Sequence, residues 1–155
     1  MLKGQEIVKN RKQTIEALNR AAAAELQAAY RYLFLSEYAS GMHGREVAEK
    51  FAEMAQGEWK HVSVFLKRII QLGGKPFDHV TEADKLSFSK YLVPPKDPTD
   101  WKRMLKDSIA GEQDAIQFYR DLMGEVHEDP VTLHLVREAL EDEVEDEHEL
   151  ASLLE

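Results

Sequence analysis

The sequence contains no cysteine. That removes disulfides, iron–sulfur clusters, thiolate-bound zinc and thiol chemistry together. Turn formers are scarce, with 8 glycines and 5 prolines in 155 residues, so few positions favour breaks in regular structure. No apolar run approaches the roughly 20 residues of a membrane span. The opening residues, MLKGQEIVKNRKQ, hold no apolar stretch of signal-peptide length. Positive charge is the scarcer sign: 20 Lys and Arg against 29 Asp and Glu leave a net charge of -9. So acidic a chain is a poor partner for nucleic acid or an anionic membrane. DNA and membrane partners are therefore not expected, and the expected localisation is cytoplasmic.

What is present is Ala, Leu, Glu, Lys and Gln, the strong helix formers. The fold class expected is all-α, as one domain over residues 1–155. Four stretches carry helical periodicity. The first runs from about Lys9 to Ala39, with an inward stripe of Ile15, Leu18, Ala22, Glu25, Ala29 and Tyr32. The second runs from about Arg45 to Leu72, between Gly41/Gly44 and Gly73-Gly74, with Phe51, Met54, Glu58, His61, Phe65 and Ile69 inward. The third is expected to start at Asp97-Pro98, a cap followed by a first-turn proline, with Leu105, Ile109, Glu112, Ile116, Tyr119 and Met123 inward. The fourth starts in the same way at Asp129-Pro130, with Leu133, Val136, Leu140, Glu143, Glu147, Leu150 and Leu154 inward.

The link between the second and third helices, residues 75–96, is long and holds Pro76, Pro94 and Pro95. A link this long in a helical domain usually crosses the bundle, and a short helix is expected near Thr81–Lys90. No fifth helix is expected. The halves echo each other: Glu25 and Glu112 are each followed by a tyrosine seven residues on, Tyr32 and Tyr119.

Every helix thus places a glutamate on its apolar stripe: Glu25, Glu58, Glu112 and Glu143. One such residue reads as a boundary side chain reaching for water. Four at matching depth would repel one another unless a cation lay between them. His61 follows Glu58 by three residues, one turn along the same face. Two single-Glu helices and two Glu-x-x-His helices make up the di-iron and di-manganese carboxylate sites of helical bundles. In the fourth helix two registers compete. The literal Glu-x-x-His is Glu145…His148, whose same-face neighbours are Glu138, Glu141 and Ser152. Glu143 and Asp146 share a face with Val136, Ala139, Leu140, Leu150 and Leu154 instead, and periodicity favours them. Glu147 is also read as inward, as a spare ligand or an iron-entry carboxylate.

Tyr32 is a candidate to hydrogen-bond a ligand carboxylate or supply an electron, whereas Tyr119 reads as a core residue with a satisfied hydroxyl. Met54 reads as core packing. His43, His79, His127 and His134 read as solvated. The sparse basic start (Lys3, Lys9, Arg11, Lys12) reads as a solvated helix start.

The runs AAAAELQAAYRY, GEWKH, AGEQDAIQFY and DPVTLHLVREALEDEVEDEHEL resemble the ferritin-like superfamily over about residues 15–154. The branch most resembled is bacterioferritin and the Dps-like proteins with a ferroxidase-type site inside each subunit. The resemblance implies a four-helix bundle with a long crossover and two iron ions per subunit, with manganese or zinc as substitutes. It places Glu25, Glu58, His61 and Glu112 on ligand positions and Tyr32 on the site-adjacent tyrosine. Aligned from Asp129-Pro130 it places Glu143 on a ligand and Asp146 where the family has His; counted from Glu112 it favours Glu145 and His148. Trp59 stands where haem-binding bacterioferritins carry Met, so no haem is expected by that route.

The activity implied is oxidation of Fe(II) by dioxygen or hydrogen peroxide, for iron storage or peroxide detoxification, in a homo-oligomer with a dodecamer favoured. The alternatives are another di-metal redox enzyme, such as a peroxidase or a manganese catalase-like protein, and a non-catalytic helical interaction module.

Overall fold

Each of the four periodic stretches forms a long helix. The computed structural model describes residues 1–155 and contains α1 (Lys3–Glu6), α2 (Arg11–Tyr38), α3 (Gly44–Gln71), α4 (Ala83–Leu86), α5 (Trp101–Glu125) and α6 (Pro130–Leu154). The single turn α1 was not foreseen in the sequence. A 3-10 turn, Val80–Glu82, leads into α4, within the stretch expected to hold a short helix.

Local chemistry sets the boundaries. α3 ends in a Schellman turn: Gly73 N–H donates to Ile70 O (3.0 Å) and Gly74 N–H to Ile69 O (2.9 Å). Gly73 has φ +80°, and a Cβ on Gly74 would meet Ile15 at 2.7 Å, so both positions suit glycine. At α6 the Asp129 carboxylate accepts from the N–H groups of Val131 and Thr132, with Pro130 in the first turn. The buried guanidinium of Arg68 on α3 donates to both Asp129 oxygens, at 3.1 and 3.2 Å. It also donates to Thr132 Oγ1 at 2.9 Å, tying the end of α3 to the start of α6.

The expected start of the third long helix is corrected. Asp97 closes a local turn on Thr99, accepting from its N–H at 2.9 Å and its hydroxyl at 2.7 Å. The helix begins after Asp100, whose carboxylate accepts from Arg103 N–H at 3.2 Å.

The crossover is tied along nearly the whole of α2. Asn19 accepts from Phe77 N–H and donates to Lys75 O, Arg31 Nε donates to Leu92 O, and the Tyr38 hydroxyl donates to Lys96 O. Phe88 stacks on Phe118 of α5, with ring centroids 4.3 Å apart.

α2 packs chiefly on α3, and α5 on α6. The core falls into two apolar clusters. One holds Leu18, Phe65, Ile69, Tyr119, Leu122 and Val136. The other holds Tyr32, Leu35, Phe51, Met54, Met104, Leu105 and Leu150. α2 and α6 pass from the first cluster to the second, whereas α3 and α5 pass from the second to the first. The crossover therefore returns the chain so that α5 runs parallel to α3, with α2 and α6 opposed to both. This is the expected four-helix bundle with a long crossover. On every helix the inward glutamate falls between the two clusters, so the carboxylates form a polar layer across a dry core.

Candidate metal centre

That layer brings together all four stripe glutamates and His61. Glu25, Glu58, Glu112 and Glu143 are each no more than 2 % exposed, and His61 is 6 % exposed. Oxygens and nitrogens of Glu25, Glu58, His61 and Glu143 lie within 4.8 Å of one another. Oxygens of Glu112, Glu143 and Asp146 form a second such group, so Glu143 stands in both.

The imidazole of His61 spans the inside and outside of the layer. Nδ1 faces the carboxylates, 3.1 Å from Glu143, 3.4 Å from Glu25 and 3.8 Å from Glu58. Nε2 lies 2.8 Å from Asp142 Oδ2. A carboxylate on the outer nitrogen fixes the ring and leaves the inner nitrogen free to act as a ligand.

Two tyrosines complete the layer. The buried Tyr32 hydroxyl donates to Glu112 Oε1, and the buried Tyr119 hydroxyl donates to Glu25 Oε1. The core reading of Tyr119 holds in that its hydroxyl is buried and satisfied, and the acceptor is a carboxylate of the layer.

Without a cation this layer holds protons instead of full charge. Burial, then the neighbouring carboxylates, pushes Glu58 and Glu143 well above the usual carboxylate range. Burial pushes Glu112 up to about 7 despite hydrogen bonds from Glu143 and Tyr32. Glu25 alone among the four is lowered: burial would raise it, but hydrogen bonds with Glu58, His61 and Tyr119 outweigh that. Burial would lower His61, yet its contacts with Glu25 and Asp142 raise it to about 9. Burial and Glu112 hold Tyr32 well above the ordinary phenol range, as burial and Glu25 hold Tyr119, so both remain hydrogen donors.

Protons do not satisfy every atom. Oε1 of Glu58 and Oε2 of Glu112 are buried with no hydrogen-bond partner, and Oε1 of Glu143 faces only His61 Nδ1, at 3.1 Å. Such groups cost about 1–3 kcal/mol each unless something pairs with them. Hard oxygen donors, one imidazole nitrogen and buried oxygens without partners suit divalent first-row ions. The residues present fit a di-metal centre.

In the fourth long helix, Glu143 and Asp146 face the layer, whereas Glu145 and His148 are exposed on the outside. Asp146 is half-buried, and its Oδ1 lies 2.9 Å from Lys50 Nζ. The inward reading of Glu147 is corrected: it is half-buried at the rim, where its carboxylate accepts from Gln113 Nε2 at 3.0 Å. Met54 is core, and His43, His79, His127 and His134 are exposed as expected. An exposed group, Asp78, His79 and Glu82, lies on the crossover away from the layer.

Sequence reasoning did not reach Asp142, Lys50 or Arg31. Arg31 is buried, donates to Leu92 O and Ser108 Oγ, and leaves Nη2 without a partner. It lines a cavity of about 60 Å³ between α2, α5 and the crossover that reaches Tyr32, Glu58, Glu112 and Glu143.

The family model for the ferritin-like domain, Ferritin, matches residues 15–155. The DNA protection during starvation protein of Pyrococcus furiosus is 28% identical over 141 residues, spanning 90% of this chain and 76% of that protein. A dodecameric thioferritin, the bacterioferritin-related protein of Bacteroides fragilis, superposes with TM-score 0.89 at 27% identity, covering 94% of this chain and 86% of the other. Dps from Staphylococcus aureus superposes with TM-score 0.86 at 17% identity, covering 94% and 97%. The fold, the polar layer inside it and the match over nearly the whole chain agree: this protein belongs to the ferritin-like family.

Proposed function

We propose that the polar layer is a ferroxidase centre that binds two Fe(II) ions per chain and passes their electrons to hydrogen peroxide or dioxygen. The observation that carries this is the meeting of four buried glutamates and His61 in one layer, with buried oxygens of Glu58 and Glu112 left without a hydrogen-bond partner. Glu25, Glu58, His61 and Glu143 would hold one ion, and Glu112, Glu143 and Asp146 the other, with Glu143 common to both.

Two ferrous ions, bound as substrate, supply the two electrons that reduce one peroxide molecule, with two protons, to two waters. The chain's own residues do the rest. His61 releases its proton before Nδ1 can act as a ligand, and Asp142 keeps Nε2 and the ring in place. Tyr32 and Tyr119 each hold one oxygen of Glu112 and Glu25, which aims the other oxygen inward. Protons displaced from Glu58, Glu112 and Glu143 are available to the reduced oxidant. The apolar clusters on either side exclude bulk water from the layer.

The same reading extends to iron storage or peroxide detoxification in a homo-oligomer, with a dodecamer as the expected size. Tyr30, Leu33 and Phe34 form an exposed apolar strip on α2 suited to contact between copies.

An anaerobic Fe(II) titration tests the centre. Saturation at two equivalents per chain is expected, followed by oxidation when peroxide is added. Absence of saturable binding, or saturation unaffected by Glu58→Ala, contradicts it.

A further inference from the structure

Lysine is rarely buried, because its ammonium is strongly hydrated. Lys50 on α3 is only 8 % exposed. Its Nζ lies 2.9 Å from Asp146 Oδ1, contacts Glu149 Oε2 and stands 3.8 Å from Glu53 Oε1. Asp146 is the same carboxylate that stands with Glu112 and Glu143 in the second candidate ion position.

The two positions are therefore unequal. The first offers three carboxylates and an imidazole, and a carboxylate on the outer face of that imidazole strengthens it as a ligand. The second offers oxygen alone, and one of its three side chains is held from outside by a cation. A divalent ion on Asp146 would face that ammonium at close range, where like charges repel strongly away from bulk water. Lys50 has other acceptors: Glu149 and Glu53, both more exposed, stand ready to keep the ammonium when Asp146 turns inward.

Resting on the di-metal reading above, we propose that Lys50 competes with a divalent ion for Asp146. The centre then loads in order. One ion binds firmly at the His61 position. The second binds only when Lys50 moves to Glu149 and Glu53, which makes the Asp146 position the exchanging one.

Isothermal titration with Co(II), which needs no oxidant, tests this on the full chain. Wild type is expected to bind two ions in steps at least about tenfold apart. Lys50→Met is expected to tighten the second step by at least about tenfold and to leave the first within about threefold. Asp146→Asn is expected to abolish the second step and retain the first. Two equal steps in wild type, or a second step unchanged or weakened in Lys50→Met, overturns the proposal while leaving the centre in place. No Co(II) binding in wild type overturns the di-metal reading itself. Anomalous diffraction from wild-type crystals holding one Co(II) per chain gives an answer free of variants. Occupancy at His61 alone is expected, and an even split between the positions overturns the proposal.

Discussion

Tyr32 and Tyr119 exchange partners across the bundle. Tyr32 on α2 donates to Glu112 on α5, and Tyr119 on α5 donates to Glu25 on α2. Each tyrosine lies seven residues after the glutamate of its own helix and serves the glutamate of the other. The two halves of the chain are thereby locked at the depth of the polar layer.

Replacing either tyrosine by Phe removes a donor from a buried carboxylate but keeps the ring. The expected result is a loss of about 10–100-fold in divalent-ion affinity for each variant. The ring contacts of Tyr32 with Phe51 and of Tyr119 with Phe65 remain, so the helical fold is expected to persist. Co(II) titration with circular dichroism separates the two effects. Unchanged affinity in both variants would mean that the hydroxyls only fill the core.

On the proposed reading, Asp142 would act on a metal through His61. Asp142→Asn keeps the shape but weakens the acceptor for Nε2, so the first binding step is expected to weaken by about 10–100-fold. His61→Ala should weaken the same step at least as far. The double variant should be no worse than His61→Ala alone, because Asp142 has no other path to the ion.

Without metal, thermal stability is expected to fall as pH rises. Glu58, Glu112 and Glu143 are raised when folded, so they keep protons that the unfolded chain releases above about 4.5. That contribution declines as pH climbs from there through about 7, the value for Glu112. His61 is raised from 6.5 to about 9, so its contribution is full below the first value and lost as pH passes the second. Glu25, which is lowered, acts at the acid end: its contribution is present above 4.5 and lost as pH falls. Zn(II) bound in the proposed centre would take the place of the protons, so its stabilising effect is expected to grow with pH. Melting curves between about pH 5 and 9, with chelator or Zn(II), check the slope. A flat or rising chelator curve would contradict it.

The Arg68–Asp129 pair is structural. Burial would raise Asp129, but Thr132 and Arg68 outweigh it, so the carboxylate is lowered and stabilises the fold above the unfolded value of 3.8. Asp129→Ala leaves a buried guanidinium uncompensated and an uncapped helix, at a cost of about 3–5 kcal/mol. Urea unfolding measures it. A loss under about 1 kcal/mol would mean that water reaches Arg68.

Much of this was legible in the sequence because helical periodicity is local. The spacing of Leu18, Ala22, Glu25 and Ala29, or of Phe51, Met54, Glu58 and His61, sets a face without knowledge of any partner. The same test put Glu143 and Asp146 inward against the more conspicuous Glu145 and His148. Caps were legible where one candidate stood alone, as at Asp129. They failed at Asp97, because Asp100 three residues on fits the same role and the chain used Asp97 to turn at Thr99. Glu147 departs from the face its spacing gives it, because its rotation toward Gln113 depends on how α5 meets α6. Lys50 and Asp142 were out of reach for the same reason: which side chain meets Asp146 or His61 across a helix pair is set by axial shift and rotation, and neither is written in one helix alone.

One layer in the bundle is proposed to hold two ions. Anomalous diffraction at the iron edge, from crystals loaded anaerobically with excess Fe(II), tests it most directly. Two peaks per chain are expected, one among Glu25, Glu58, His61 and Glu143 and one among Glu112, Glu143 and Asp146. An empty layer, or iron bound instead by Glu145 and His148, would contradict it.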